Sequence, residues 1–143
     1  MPTPHRDLVT GVIQLANLLT RHLAPVFEKA HVTPQQWAIL AALADAGQPL
    51  TLAGLARTML VSKQNMTGMV ARLEELGLVE RQADPGDLRS SRLQLMRRGR
   101  ATVEKLRPAY DAWQRALGSD VAERDLAALT RTIDRLIERL GAM

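Results

Sequence analysis

Lys63, Gln64, Asn65, Thr67 and Arg72 are donors and acceptors spaced along one short run, KQNMTGMVAR. Lysine and arginine bind guanine edges or phosphate, glutamine and asparagine favour adenine, and threonine can bond a base edge or touch a thymine methyl. In that run and just beyond it Met66, Met69, Val70, Leu73 and Leu76 recur at three- and four-residue steps. The run therefore predicts a helix with one buried side and one polar side. Gly68 and Ala71 fall on the polar side. Glycine in mid-helix costs roughly 1 kcal/mol against alanine, so Gly68 needs a reason. Close approach to a groove is one, and tight packing against another helix is the other.

A second set of polar groups follows in QADPGDLRSSRLQL, from Gln82 to Leu95. Asp84-Pro85-Gly86-Asp87 is turn chemistry. Leu93 and Leu95 share a face by period two, so the segment predicts a hairpin with Asp87, Arg89, Ser90 and Arg92 at or near its tip. An arginine there suits a narrow minor groove, where the potential is most negative. Asp87 can hold the Arg89 guanidinium in a bidentate pair, or cap the turn, or do both.

Charge distribution agrees with a phosphate-rich partner. Residues 57–100 hold nine Lys or Arg against five Asp or Glu. That excess of four equals the formal net charge of the whole chain, so the remainder is neutral. A localised basic excess is the electrostatic footprint of nucleic-acid binding.

The rest of the chain must position these groups. With 143 residues, 46% hydrophobic and 3% aromatic, one domain with a Leu, Ala, Val, Ile and Met core is expected, and that composition favours helices. Residues 1–6 read as a loose arm. From Asp7 a long helix carries Leu8, Val12, Leu15, Leu19, Leu23, Val26 and Phe27 on one stripe, with Pro25 kinking it or marking its last turn. Thr33-Pro34 is an N-cap followed by proline at the first helical position. Trp37, Leu40, Ala41 and Leu43 or Ala44 form the buried side of this second helix, and Gly47 ends it. Gln48-Pro49-Leu50-Thr51 is a short extended connector that can add a third strand beside the wing. Thr51 can cap a third helix over residues 52–59, with Leu52, Leu55, Ala56 and Met59 inward. The turn Leu60–Val61 is expected to pack its apolar side chains inward. Ser62 can cap the polar-faced helix, and Gly77 terminates it. Backbone N–H groups at the helix starts marked by Thr51 and Ser62 can also take phosphate. A fifth helix starts at about Arg97, with Pro108 expected to bend it. A sixth runs from about Asp120 to Leu140, with Leu126, Leu129, Ile133, Leu136, Ile137 and Leu140 close to a heptad seam.

The order TPQQWAIL, LAGLA, VSKQNMTGMVARLEELGLVER and DLRSSRLQLMRRG resembles the MarR family of transcriptional regulators. The resemblance spans most of the chain. It implies a mainly α fold with a small β-hairpin wing, a winged helix-turn-helix carried by long N- and C-terminal dimerisation helices. One domain would cover 1–143, with the DNA-binding lobe at about 33–99 and dimerisation helices at about 7–30 and 100–143. It implies a homodimer, a pseudo-palindromic double-stranded DNA operator, a repressor, and release by a small anionic or phenolic effector. DNA contacts then fall on Ser62, Lys63, Gln64, Asn65, Thr67, Arg72, Asp87 and Arg89, and the helix start, the outer face and the wing tip read above add Thr51, Gly68, Ser90 and Arg92. Met96 stands where the family commonly has threonine, so a hydroxyl cap for the fifth helix is missing. Gly68 replaces a larger polar residue, so operator preference is not inherited.

An effector pocket would draw on Arg21, His22, Trp37, Tyr110 and Trp113, although both tryptophans lie on apolar stripes that equally suit a core. The chain has no cysteine, which excludes disulfides, thiolate metal sites and cysteine redox sensing. No histidine spacing suggests a metal, and no cofactor is expected. No nucleophile–base set or Gly-rich phosphate loop suggests an enzyme. The N-terminus lacks the apolar run of a signal peptide and no stretch is long enough to span a bilayer, so a cytoplasmic protein without membrane contact is expected. The rival reading is a helical dimer that binds proteins without specific DNA binding. It accounts for the long helices but not for the localised charge.

Overall fold

The computed structural model describes residues 7–143, apart from the side chains of Asp87, Leu88 and Arg89. The arm expected at residues 1–6 lies outside the described residues. The elements run α1 (Leu8–Glu28), α2 (Pro34–Ala46), β1 (Leu50–Thr51), α3 (Leu52–Met59), α4 (Lys63–Glu75), β2 (Val79–Asp84), β3 (Asp87–Leu95), α5 (Arg97–Leu117) and α6 (Glu123–Gly141). This is the mainly helical fold with a small antiparallel sheet that the sequence predicts.

Local chemistry sets most of the boundaries. The Asp7 carboxylate accepts from the Thr10 N–H at 2.7 Å and opens α1. Thr33 and Gln36 form a reciprocal capping box at the start of α2. Each side chain satisfies a backbone N–H that the helix leaves unpaired. Gly47 follows α2 with φ 68°, and Gly77 follows α4 with φ 73°. Both are left-handed positions that glycine reaches without a Cβ penalty. Pro25 lies in the last turn of α1, and Pro108 is accommodated inside α5.

The sheet order is β1-β3-β2, antiparallel throughout. Leu50 faces Leu93 across one pair, and Val79 faces Leu95 across the other. The third strand expected at Leu50–Thr51 is present. A register irregularity at Ala83/Asp84 ends the regular ladder just before the hairpin turn.

The chain forms two compact units, Met1–Arg107 and Pro108–Met143. The first holds the core: Phe27 from α1, Ile39 and Leu40 from α2, Leu55 from α3, Met66, Val70 and Leu73 from α4, Leu93 from β3, and Val103 and Leu106 from α5. Phe27 stacks on Trp37 with ring centroids 5.3 Å apart. The Arg107 guanidinium lies 5.7 Å from the Trp37 ring centre and also pairs with Asp45 at 3.0 Å. Trp37 therefore packs in the core. In the second unit, α6 has no buried residue, and Leu126, Leu129, Ile133, Leu136, Ile137 and Leu140 are all exposed. In the first unit, Leu8, Val12 and Leu15 of the α1 stripe are exposed too.

Two expectations are corrected. Leu60 does not pack inward. It is left-handed (φ 57°) and 66% exposed, because it is the C-cap of α3, where the chain must reverse before α4. Helix α6 begins at Glu123 and not near Asp120. The Ser119 hydroxyl donates back to the Ala116 carbonyl, and the next cap, Ala122, has no side-chain oxygen.

Candidate nucleic-acid interface

Helix α4 is anchored on one side and open on the other. Met66, Val70 and Leu73 are fully buried, which fixes the helix about its axis. Lys63, Gln64, Asn65, Thr67, Gly68, Ala71 and Arg72 are all exposed. At the N-terminus the Ser62 hydroxyl oxygen accepts from the Asn65 N–H at 3.0 Å. Ser62 is thus a cap, and it satisfies only one of the free N–H groups of that turn.

The exposed side chains differ in how free they are. Lys63 has no ion pair among the described residues. The Thr67 hydroxyl donates to the Lys63 carbonyl at 2.8 Å, which leaves its oxygen lone pairs to accept. Arg72 pairs with Glu75 at 3.2 Å, with both side chains more than half exposed. Such a pair contributes roughly 0–1 kcal/mol, so it does not hold Arg72 back from a stronger partner. A Cβ added at Gly68 would meet nothing within 4 Å. Packing against another helix of this chain therefore does not explain that glycine.

The wing is held by Asp84. This residue is buried, and one carboxylate oxygen accepts from the Gly86 N–H at 3.0 Å while the other accepts from the Ser90 hydroxyl at 2.9 Å. Arg92 Nη2 pairs with it at 3.3 Å. The Gly86 N–H bond first, then the Ser90 hydroxyl and Arg92, hold the Asp84 carboxyl below the usual carboxylate range. Two expected DNA contacts, Ser90 and Arg92, thus serve inside the wing. Arg92 Nε is buried without a partner, while its side chain stays 43% exposed. Gln94 Nε2 also donates to Glu80 Oε1 across the β2–β3 pair. The Asp87–Arg89 pairing lies outside the described residues.

Thr51 is half-buried, and its hydroxyl oxygen accepts from the Gly54 N–H at 3.0 Å. It caps α3 while its backbone pairs with Arg92. Of the effector candidates, Arg21 and His22 are exposed on α1, Trp37 is 3% exposed in the core, and Tyr110 and Trp113 are half-buried in the second unit. The Tyr110 hydroxyl accepts from Gln114 Nε2 at 3.0 Å. Among the described residues no group of three His, Asp or Glu side chains is placed to hold a metal, and no helix is long and apolar enough to cross a membrane.

Two positioning residues escaped the sequence reading. Asp84 looked like turn chemistry alone. Gln36 does more than close its capping box, since its Nε2 also donates to the Met69 carbonyl in α4. The TPQQ run signals the cap, but nothing in it signals a partner 33 positions away.

A sequence model of the MarR family matches residues 32–90. The chain is 32% identical over 126 residues to the HTH-type transcriptional regulator FarR of Neisseria gonorrhoeae, an alignment covering 84% of this chain and 86% of FarR. It is 32% identical over 133 residues to the transcriptional activatory protein BadR of Rhodopseudomonas palustris, covering 91% of this chain and 74% of BadR. Among solved structures, NadR in complex with 4-hydroxyphenylacetate superposes with a TM-score of 0.77 at 29% identity, over 95% of this chain and 97% of that one. The anchored helix with a polar outer face, the wing beside it and these likenesses agree: the chain belongs to the MarR family and is a DNA-binding winged-helix transcriptional regulator.

Proposed function

We propose that two copies of this chain bind one pseudo-palindromic operator and repress transcription from it. The observation that carries this reading is α4, whose core-packed side fixes the direction in which Lys63, Gln64, Thr67 and Arg72 are exposed. A helix held in this way can enter a major groove with its N-terminal side chains against base edges. Residues 33–99 form the reading lobe in this proposal, with Arg89 of the wing in the adjacent minor groove and Asp87 as its partner.

The dimer reading rests on the exposed apolar stripes of α1 and α6. Contiguous apolar surface of this kind marks an association site, and a two-fold pair of subunits matches two half-sites about a helical turn or more apart. Residues 7–30 and 100–143 would supply the contact. A dimer seated on about two turns of duplex blocks access to that DNA, which is the physical basis for repression. Its place of action would be the cytoplasm, with the DNA. NadR holds 4-hydroxyphenylacetate, which supports a small anionic or phenolic effector for this chain also.

The test is a gel shift or footprint on DNA upstream of the protein's own gene, with and without aromatic carboxylates. The proposal expects a protected two-fold site that an effector releases. Protection without sequence preference would contradict it.

A further inference from the structure

Part of the localised positive charge is not on the exposed face of α4. Arg98, in the first turn of α5, lies over Gly77, where an added Cβ would sit 3.8 Å from its Nη1 and 3.9 Å from its Cδ. That is the C-terminal end of α4. At 1.5 Å per residue it lies roughly 20 Å along the helix from Lys63. Arg98 there lines a cavity of about 310 Å³ together with Lys29, His31 and Lys105. The apolar part of the lining is Ala30, Leu76, Leu78 and Leu106, and the Thr102 hydroxyl on the wall donates to the Arg98 carbonyl at 2.9 Å. No aspartate or glutamate lines this cavity.

Lys29, Arg98 and Lys105 are exposed, and with no carboxylate in the lining they give the cavity a positive field that favours an anion. Helix dipoles account for only part of the assembly. Cations near the ends of α1 and α4 offset partial negative charge there, but Lys105 lies two turns inside α5. Lys29, Arg98 and Lys105 have no ion pair among the described residues. The backbone adds a second observation. His31 has φ 60°, a left-handed conformation that non-glycine residues rarely adopt. That conformation closes the end of α1, where the Val32 N–H donates to the Phe27 carbonyl, and it leaves His31 among the residues lining the cavity.

We propose that this cavity is a binding site for a phosphate monoester whose organic part is apolar. The dianionic head answers the cations of Lys29, Arg98 and Lys105, as charge-assisted bonds to phosphate do elsewhere. The substituent rests on Leu76, Leu78 and Leu106. A volume near 300 Å³ is at the lower end for small-molecule sites, so the ligand is compact. The site stands apart from the operator reading, because neither its residues nor its test involves DNA.

The experiment is isothermal titration of the full-length protein, without DNA, using phenyl phosphate, inorganic phosphate and benzoate. Phenyl phosphate is expected to bind with Kd below about 1 mM, at least tenfold more tightly than benzoate and several-fold more tightly than inorganic phosphate. The double variant Arg98→Ala/Lys105→Ala is expected to weaken it at least tenfold, with circular dichroism confirming the fold. Thr102→Glu, which adds a carboxylate to the wall, is expected to do the same. Lys63→Ala/Arg72→Ala, on the exposed face of α4, is expected to leave it unchanged. The proposal is overturned if phenyl phosphate does not bind in this range. It is equally overturned if the α4 variant abolishes binding or the cavity variants do not weaken it.

Discussion

Gln36 Nε2 donates to the Met69 carbonyl oxygen at 3.4 Å, tying the first turn of α2 to the middle of α4. The same side chain accepts from the Thr33 N–H at 2.9 Å through Oε1. One buried amide therefore starts one helix and braces another. Gln36→Glu keeps an acceptor for Thr33 but sets a carboxylate against the Met69 carbonyl. Removing one partner of a buried bond costs roughly 1–3 kcal/mol. Urea unfolding should show a loss in that range, and operator affinity should fall with it, since α4 loses a brace. An unchanged unfolding midpoint would show that the link carries no stability.

Gly68 separates stability from function. It is exposed within α4 and an added methyl would meet nothing. Gly68→Ala should stabilise the free protein by about 0.5–1 kcal/mol, because glycine is the poorer helix former. If the glycine allows close approach to DNA, the same variant should bind the operator more weakly. A variant both more stable and equally tight would remove that reason for the glycine.

Gly99 is constrained by packing, not by conformation. A Cβ there would sit 2.0 Å from the Leu78 carbonyl oxygen and 3.1 Å from Leu95 Cδ2. The backbone oxygen cannot give way without moving Leu78, whose carbonyl also accepts from the Met96 N–H at 3.0 Å. Gly99→Ala should destabilise the protein by about 1–3 kcal/mol, read as a lower thermal midpoint. An unchanged midpoint would mean that the start of α5 moves freely.

Asp84 gives the wing a pH signature. Its folded pKa is depressed below 3.8, chiefly by the Gly86 N–H. A depressed carboxylate contributes stability above its unfolded pKa, and that stability is lost as pH falls through the folded value. Asp84→Asn should therefore be less stable than the wild type at neutral pH. The gap should shrink once pH drops below about 3.9. Thermal melts of both proteins across that window test this, and a gap independent of pH would remove the carboxylate from the account.

Much of this architecture is legible in the sequence because its signals are local. Thr33-Pro34, Gly47, Ser62 and Gly77 mark helix ends through interactions within a few residues, and the three-four spacing of Met66, Val70 and Leu73 names the buried side of α4. The illegible parts depend on distant partners. Trp37 reads as a core or an effector residue from its stripe alone, and only Phe27 and Arg107, from α1 and α5, settle it as core. Ser90 and Arg92 read as DNA contacts from their place in the wing, and their bonds to Asp84 are invisible in the sequence. Arg98 counted as reading-head charge because it is near in sequence, although α5 carries it to the far end of α4. Leu60 misled because an apolar side chain in a turn suggests burial, while its cap geometry turns it outward.

We propose that the exposed face of α4 reads duplex sequence. The most direct test is the ratio of affinities for the upstream operator and a scrambled duplex at about 150 mM salt, for the wild type and for Lys63→Ala/Gln64→Ala. The wild type should prefer the operator by about a thousandfold or more. The double variant should lose most of that preference while its fold and thermal midpoint are kept. Equal wild-type affinity for both duplexes, or a variant as selective as the wild type, would contradict the account.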